Sequence, residues 1–343
     1  IPSSLVGSEM CIRDRKNPIW FLSLILVSSR LLAVDVSPYI VNGSNANIVN
    51  YPSFASLFYR NGNTYSTSSY CGATMINSQY ALTAAHCIYG NESTMLYTVV
   101  VPQLEDETNF LSTQQAKAEE FYYPDDYIDS GSELWPNDIA IIKLESPLSV
   151  SDYTSLLNTT LNNNFPSSAD YKAIGHGLIE GGGNGTQLLE TSLDYISLAS
   201  CQTQYSKVTD KQICFGGPQI GSYQNSTCNG DSGGPVYWFN GVQYIQIGIT
   251  SFGPSTCGDP SLNVTSVFTD VYDYIGWINN VINGQVTPKY YVTTVNGNRV
   301  LNSNVNGSSV AATSGGSSGG SLHYAALLMM IVIYCRRKLT SAH

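Results

Sequence analysis

The sequence predicts an all-β protein that ends in one α-helix, and its turn and spacing patterns support that fold class. Between Ile40 and Ile282, short runs rich in β-branched and aromatic residues alternate with turn residues, as in β-barrels and β-sandwiches. Two of the turns, Asn61-Gly62 and Asn240-Gly241, lie between alternating apolar residues, which is typical of β-hairpins. The helix is indicated by apolar residues spaced four, three and four apart, ahead of a C-capping Gly284: Val271, Ile275, Ile278 and Ile282.

The residues ahead of this region predict a secreted precursor. Residues 1–15 have no Met at position 1 and resemble either a translated sequencing adaptor or, if Met10 starts the chain, part of a leader, so we exclude them from the fold. Within residues 16–33, a short apolar run follows basic residues and is too brief to span a bilayer. This pattern predicts a signal peptide, with a buried core segment as the alternative.

Charge and glycosylation signals indicate an extracellular protein that does not bind nucleic acid. Of 343 residues, 25 are acidic and 15 basic, and a formal charge of −10 repels phosphate backbones. Seven Asn-x-Ser/Thr sequons accompany the predicted signal peptide, which is typical of secreted glycoproteins. They lie at Asn42, Asn91, Asn158, Asn184, Asn225, Asn263 and Asn306.

The cysteines also indicate an oxidising compartment. Two of the eight, Cys11 and Cys335, lie in the terminal segments, and an even set of six remains. Six cysteines allow fifteen pairings, and the residues alone do not choose among them. A zinc site is the competing interpretation, but the sequence has no C-x-x-C pair and its histidines are scattered, so we expect no metal site.

The C-terminal residues predict a linker and a short tail. Residues 285–321 are polar and end in Ser-Gly repeats, which predicts a flexible linker, although the stretch YVTTVNGNRVLN within it has a hairpin pattern. Residues 322–343 form a short apolar tail with a basic end. The tail is too short to cross a bilayer as a straight helix, and the basic residues argue against a lipid-anchor signal. We nevertheless expect the tail to favour attachment to a membrane surface.

Three short segments carry the chemistry. The segment LTAAHC holds His86, NDIAIIKL holds Asp138, and CNGDSGGP holds Ser232. A serine hydroxyl needs a neighbouring base to become a good nucleophile, and an imidazole suits that role because its pKa lies near neutrality. A carboxylate fixes the imidazole tautomer, and glycines beside the serine let backbone N–H groups approach a developing oxyanion.

In this order, the three motifs resemble the chymotrypsin/trypsin family of serine endopeptidases. The resemblance implies that residues 40–284 form two six-stranded antiparallel β-barrels with the active site between them. It implies that His86 is the general base, Asp138 orients it, Ser232 attacks, and the N–H groups of Gly230 and Ser232 form the oxyanion hole. The substrates would be proteins or peptides, protein inhibitors would be further partners, and no cofactor is implied. The implied disulfides are Cys71–Cys87, Cys201–Cys214 and Cys228–Cys257.

The resemblance also implies activation by cleavage. Residues 34–39 would be a short propeptide, and cutting after Tyr39 would free an Ile40 amine that inserts and pairs with Asp231. Breaking a buried pair of this kind typically costs about 3–5 kcal/mol. The alternative is that Ile40 begins an ordinary strand. Because related precursors are commonly cut after Arg or Lys, the tyrosine leads to the hypothesis that the enzyme cleaves itself.

The specificity pocket is expected to be uncharged. By the resemblance, Ser226 lies at its base, where trypsin-like members have an aspartate, and Gly253 leaves its mouth open. Ser251 and Phe252 belong to the same substrate-binding stretch. These residues favour large apolar or aromatic side chains before the scissile bond, whereas bulk at Ser266 on the far wall would shift the preference towards small residues.

Two further expectations concern residues around the site. His176 occupies a position where the family usually has tryptophan, and we expect it to be a surface or packing residue. Asn225 is a sequon beside the pocket, and we expect it to carry no glycan.

Two other functions remain as alternatives. A catalytically silent, protease-like binding protein would normally lack a triad residue, whereas this chain has all three. A non-peptidase esterase would place G-x-S-x-G on a strand-to-helix turn, and the surrounding pattern for that turn is missing.

Overall fold

The computed structural model describes residues 40–162, 166, 168–178 and 185–305. The predicted leader, signal peptide and propeptide lie within residues 1–39, outside the described residues. The predicted tail and the later part of the predicted linker, from residue 306 onward, also lie outside them. Tyr39 and the sequons Asn184 and Asn306 belong to the same undescribed residues.

Six antiparallel strands close a first barrel. The strands up to residue 144 are β1 (Ser44–Asn45), β2 (Phe54–Asn61), β3 (Thr64–Tyr65), β4 (Cys71–Met75), β5 (Tyr80–Thr83), β6 (Thr98–Pro102), β7 (Ala116–Tyr122) and β8 (Ala140–Leu144). The barrel runs β2, β4, β5, β8, β7 and β6, and β6 pairs again with β2. Strand β3 pairs with β2 across Asn61-Gly62, which confirms the first predicted hairpin.

Six further antiparallel strands close a second barrel. The strands from residue 155 to 270 are β9 (Ser155–Leu156), β10 (Tyr171–Gly175), β11 (Leu189–Ile196), β12 (Gln212–Gly216), β13 (Gln219–Ile220), β14 (Tyr223–Gln224), β15 (Pro235–Phe239), β16 (Tyr244–Phe252) and β17 (Ser266–Asp270). The barrel runs β10, β11, β12, β17, β16 and β15, which pairs again with β10. Strands β15 and β16 form the second predicted hairpin across Asn240-Gly241.

Short helices lie between the strands in sequence, and the last of them follows β17. They are α1 (Glu92–Tyr97), α2 (Thr159–Asn162), α3 (Leu198–Gln204) and α4 (Ile275–Ile282), which follows a 3-10 turn at Tyr272–Tyr274. Gly284 caps α4: its φ is +71° and its N–H donates to Val281 O at 3.0 Å. The predicted fold class, two six-stranded antiparallel barrels and a C-terminal helix, is therefore confirmed.

A C-terminal hairpin extends the first barrel. Strands β18 (Tyr290–Val295) and β19 (Asn298–Ser303) pair across Asn296-Gly297, and Tyr290 of β18 pairs with Phe121 of β7. Arg299 fastens the hairpin, because its guanidinium donates to Ala118 O at 2.6 Å and its Nε to Leu96 O at 3.0 Å. The start of the segment predicted as a linker thus contains the hairpin that its pattern suggested.

The two barrels have separate cores, and residues around α4 and in β19 complete the core of the first. The largest cluster of buried side chains combines the first barrel with Val271, Ile278 and Val281 from around α4 and with Leu301 of β19. A second cluster, including Phe215 and Phe268, fills the second barrel. Within the described part of the chain, no helix is long and apolar enough to cross a bilayer.

Candidate active site

His86 is held at the rim of the first barrel by a disulfide. It lies in a 3-10 turn, Ala85–Cys87, directly after β5. The disulfide from Cys87 to Cys71 ties this turn to β4, and Ala85 is fully buried beneath it. The backbone of His86 is therefore held in place, while its imidazole ring remains partly exposed to the cleft.

Asp138 is fully buried and forms two hydrogen bonds with His86. Its Oδ2 lies 2.8 Å from His86 Nδ1, and its Oδ1 accepts from the backbone N–H of His86 at 2.9 Å. Ser251 Oγ donates to Oδ2 at 2.6 Å, and Thr269 Oγ1 donates to the Asp138 carbonyl at 2.7 Å. Because a carboxylate only accepts, Nδ1 carries the hydrogen and Nε2 is the ring nitrogen left for proton transfer.

The electrostatic surroundings favour a protonatable imidazole. Burial lowers the pKa of His86, but the charge of Asp138 and its hydrogen bond raise that pKa by more, and Asp129 adds a smaller contribution. The net effect is a pKa above the ordinary histidine value. The imidazolium that forms when a proton is taken up is thus stabilised where it is needed.

Ser232 lies in a tight turn between β14 and β15 and lines the same cleft as His86. Two hydrogen bonds join the turn to neighbouring strands. The N–H of Gly233 donates to Thr250 O of β16 at 2.9 Å, and the Ser232 carbonyl accepts from the N–H of Gly72 of β4 at 2.7 Å. Ser232 Oγ has no hydrogen-bond partner among the described residues, so Ser232 and His86 share the cleft without a direct hydrogen bond.

Two backbone N–H groups beside Ser232 are free. The N–H groups of Gly230 and Ser232 have no hydrogen-bond partner within the described ranges, although Asp231 between them donates to Cys228 O at 3.0 Å. The φ of Gly230 is +102°, and a Cβ at this position would lie 2.9 Å from the Cα of Gly177. Glycine is therefore required to hold the pair of N–H groups in this arrangement.

Asp231 is fully buried between backbone donors. Its Oδ1 accepts from the N–H of Gly177 and its Oδ2 from the N–H of Cys228, both at 2.8 Å. A Cβ at Gly177 would lie 2.4 Å from the carboxylate, which explains the glycine. Burial raises the pKa of Asp231 to about 7, and the two N–H groups only partly offset it. Among the described residues, no cation pairs with this carboxylate.

The segment that begins at Ile40 is inserted into the second barrel. Ile40 and Val41 are fully buried, and Ile40 packs against Leu189. The N–H of Val41 donates to Ser226 O at 3.1 Å, and Thr191 Oγ1 donates to Val41 O at 3.4 Å. Ile40 itself lies in a turn, and the first strand begins at Ser44.

Ser226, the predicted base of the pocket, lies behind the residues that line the cleft. Ser226 is fully buried and its hydroxyl donates to Thr227 O at 2.9 Å. Ser266 Oγ accepts from the N–H of Thr227 at 2.9 Å and from Thr227 Oγ1 at 3.0 Å. The cleft, of about 410 Å³, is lined by Thr227 and Gly253 but not by Ser226. Two hydrogen bonds thus join Thr227, at the cleft surface, to buried Ser266.

The remaining predicted residues lie around this pocket. Phe252 and Ser251 line the cleft, and a Cβ at Gly253 would lie 2.8 Å from Thr265 O, so the wall is close there. Asn225 is buried, and its Nδ2 donates to Ser192 O at 3.0 Å, which leaves no room for a glycan.

His176 is a buried packing residue. Its Nδ1 lies 3.4 Å from Ser56 Oγ, its ring packs near Phe54, and burial lowers its pKa to about 4. It is therefore neutral near pH 7.

Two residues on the cleft wall belong to no sequence motif. Asp129 and Trp135 lie on the loop before Asp138, and the Trp135 ring is 5.6 Å from the Phe252 ring. Only their position shortly before the NDIA motif could have drawn attention to them, because no short pattern marks a loop residue that faces a cleft.

The disulfides match the pairs that the resemblance implies. The structure contains Cys71–Cys87, Cys201–Cys214 and Cys228–Cys257. The last of these joins the turn before Ser232 to the segment after Gly253, and both cysteines line the cleft.

Comparisons with known proteins identify similar chains. A family model described as Trypsin matches residues 40–278. The chain is 31% identical over 258 residues to chymotrypsin-like elastase family member 1 from Felis catus, covering 72% of this chain and 91% of that protein. It is 30% identical over 276 residues to snake venom serine protease catroxase-2 from Crotalus atrox, covering 77% and 95%. The structure of secreted serine protease VesC from Vibrio cholerae matches in fold, with a TM-score of 0.58, 22% identity, 73% of this chain and 50% of that chain.

Proposed function

The chain belongs to the trypsin family of serine proteases, and from that premise we propose that it is a secreted zymogen that hydrolyses peptide bonds through an acyl-enzyme on Ser232. The single observation that carries the proposal is the hydrogen bond between buried Asp138 and His86, whose ring lines the same cleft as Ser232. Its substrates are proteins or peptides.

In the proposed reaction, each group has one task. His86 Nε2 takes the proton from Ser232 Oγ as that oxygen attacks the substrate carbonyl. The charge of Asp138 stabilises the imidazolium, and the N–H groups of Gly230 and Ser232 receive the oxyanion, each donor contributing about 3 kcal/mol. The imidazolium then protonates the leaving amine, and water releases the acyl group by the reverse sequence.

A serine-directed phosphonate tests this chemistry. It should label the chain trimmed to Ile40 and should fail to label the Ser232→Ala variant. A trimmed chain that resists labelling yet still binds peptides would support the alternative of a catalytically silent binding protein.

Activation at Tyr39 is the second part of the proposal. Cutting there creates an α-amine on Ile40, and this amine supplies the positive charge that buried Asp231 lacks. The burial of Ile40 and Val41 and the hydrogen bond from Val41 to Ser226 O support this arrangement. Since Tyr39 is uncharged, the enzyme itself is the proposed activating protease, and because the pocket proposed below favours side chains smaller than tyrosine, self-cleavage should be slow.

Self-activation is tested by producing the chain alone with and without Ser232→Ala. The parent chain should acquire an N-terminus at Ile40, and Ser232→Ala should keep its propeptide. A Ser232→Ala chain that still matures would overturn self-cleavage, and a fully active chain that keeps Tyr39 would overturn activation at this bond.

For the residue before the scissile bond, we propose a preference for small or medium uncharged side chains. The cleft is lined by Thr227, which donates to buried Ser266, and not by Ser226, and this supports a shorter pocket than large aromatic residues need. One missing or added methylene in a pocket is worth about 10–200-fold in kcat/KM. A peptide library should show Ala, Val or Leu above Phe, and Ser266→Gly should raise relative cleavage after Phe at least tenfold. Dominant cleavage after Lys or Arg would refute an uncharged pocket.

Extracellular localisation is the last part of the proposal. Three disulfides in the described residues persist only in an oxidising compartment. Attachment to the cell surface through residues 322–343 is tested by whether a chain that ends at residue 321 is released into the medium.

A further inference from the structure

One carboxylate on the cleft wall takes no proton and contacts no reacting atom in the proposed reaction. Asp129 is exposed and lines the same cleft as His86, Trp135 and Ser232. Trp135 Nε1 donates to its Oδ1 at 3.1 Å, and the Tyr127 hydroxyl donates to the same oxygen at 3.3 Å. Its Oδ2 has no hydrogen-bond partner in the described part of the chain. One oxygen is therefore fixed in place while the other is available to a ligand.

No cation among the described residues pairs with Asp129. No lysine or arginine lines the cleft, and Asp129 is the only carboxylate among the lining residues. Two lysines across from the Asp129 loop are engaged elsewhere: Lys207 pairs with Glu133 at 2.7 Å, and Lys211 donates to Asn137 at 3.2 Å. A cation brought by a substrate would thus meet an unpaired carboxylate.

The path of a bound peptide leads past Asp129. This step rests on the proposed function. If Ser232 attacks the carbonyl of one residue, here called the acyl residue, that residue's side chain enters the pocket lined by Thr227 and Gly253. Successive side chains of an extended peptide point to opposite sides. The side chain of the residue that precedes the acyl residue therefore points away from that pocket, and the other residues that line the cleft include His86, Trp135 and Asp129.

We propose that Asp129 selects substrates with lysine or arginine at the position that precedes the acyl residue. The indole of Trp135 offers an apolar surface for the methylene stem, as such side chains favour, and the cationic head reaches the free carboxylate oxygen. Because the wall is exposed to solvent, the effect is that of one accessible charge pair, about fivefold in kcat/KM.

Three peptides that differ only at this position test the selection. They carry Lys, Gln or Glu there, and the enzyme is the chain trimmed to Ile40. Lys should be cleaved about fivefold faster than Gln, with Glu slowest, and the ratio should approach one in about 0.5 M salt. Asp129→Asn keeps an oxygen to accept from Trp135 and Tyr127 but removes the charge, so its Lys-to-Gln ratio should be close to one.

Matched variants separate selection from other roles of the loop. Asp126→Asn removes a charge three residues away on the same loop, outside the cleft lining, and should keep the parent ratio. Asp129→Lys should reverse the order so that Glu is preferred. Equal cleavage of the three peptides by the parent, or an equal loss on all three in Asp129→Asn, overturns the selection but leaves the protease activity standing. A trimmed chain that cleaves none of them and resists the phosphonate overturns both.

Discussion

Replacing Asp231 by asparagine should change how the stability of the uncleaved chain depends on pH. The carboxylate is fully buried, two backbone N–H groups hold it, and no cation in the described residues pairs with it. Burial raises its pKa from 3.8 to about 7. The folded chain therefore binds this proton more tightly than the unfolded chain does, so stability is highest below pH 3.8 and falls as pH rises through about 7.

The size of the effect follows from the two pKa values. A rise from 3.8 to about 7, at about 1.36 kcal/mol for each tenfold change in proton affinity, corresponds to about 4 kcal/mol of lost stability. Most of that loss develops between about pH 4 and pH 8, where the unfolded carboxylate is ionised and the folded one still gains from its proton. Asparagine does not titrate, so its profile lacks this contribution.

Urea unfolding measures the difference. Both proteins carry Ser232→Ala to exclude self-cleavage, keep their disulfides, and differ only in Asp231→Asn. Between about pH 4 and pH 8, the chain with Asp231 should lose about 4 kcal/mol more than the asparagine variant. The amide of Asp231→Asn would also alter the hydrogen bonds with the two N–H groups, at every pH. Comparing how the free energy of unfolding changes with pH, instead of its absolute values, removes this effect. Parallel profiles would refute the reasoning.

Cleavage after Tyr39 should remove the loss of stability that accompanies ionisation of Asp231. The new α-amine of Ile40 would lie against Asp231 and lower its pKa, which removes the cost of ionising the carboxylate. Ser232→Ala chain cut by an added protease should then be more stable at about pH 8 than the uncut chain, by several kcal/mol. If the cut and uncut chains keep the same pH dependence, the amine does not reach the carboxylate.

Three further predictions follow from the site and the hairpin. Asp138→Asn should lower kcat about 10⁴-fold with the circular dichroism unchanged, because the imidazole is left in the wrong tautomer; a loss below tenfold would contradict the role of the carboxylate. Gly230→Ala should lower kcat/KM at least tenfold in steady-state assays, whereas Gly241→Ala, also at positive φ but with open space around it, should retain activity. In urea titrations, Leu301→Ala should cost about 2–5 kcal/mol, and exposed Val295→Ala on the same hairpin under about 0.5 kcal/mol; equal costs would show that Leu301 adds nothing to the core.

The residues that carry the proposed chemistry were the easiest to predict. His86, Asp138 and Ser232 each lie in a short motif whose letters reflect a local requirement: a disulfide partner, a buried carboxylate before a strand, and glycines where a Cβ would collide. Hairpins were predictable for the same reason, since Asn-Gly turns are local. Such features need no knowledge of what lies across the fold.

Features that depend on distant segments were not predictable. The hydrogen bond from Thr227 to Ser266 joins residues 39 positions apart, and nothing near Ser226 indicates that contact. The place of Asp129 depends on how its loop folds over the cleft. The pairing of β18 with β7 joins segments that are far apart in the chain, and no local pattern specifies such a partner.

The docking of that hairpin has a consequence for how the protein is made. Leu301 lies in the same core as Leu82 and Ile141, so a ribosome that has produced the whole first barrel has not yet produced all of its interior. Until the last strands emerge, the growing chain carries an incompletely covered apolar interior, which is the condition under which nascent proteins depend on chaperones. The first barrel should consequently acquire its final form only after synthesis has passed the hairpin.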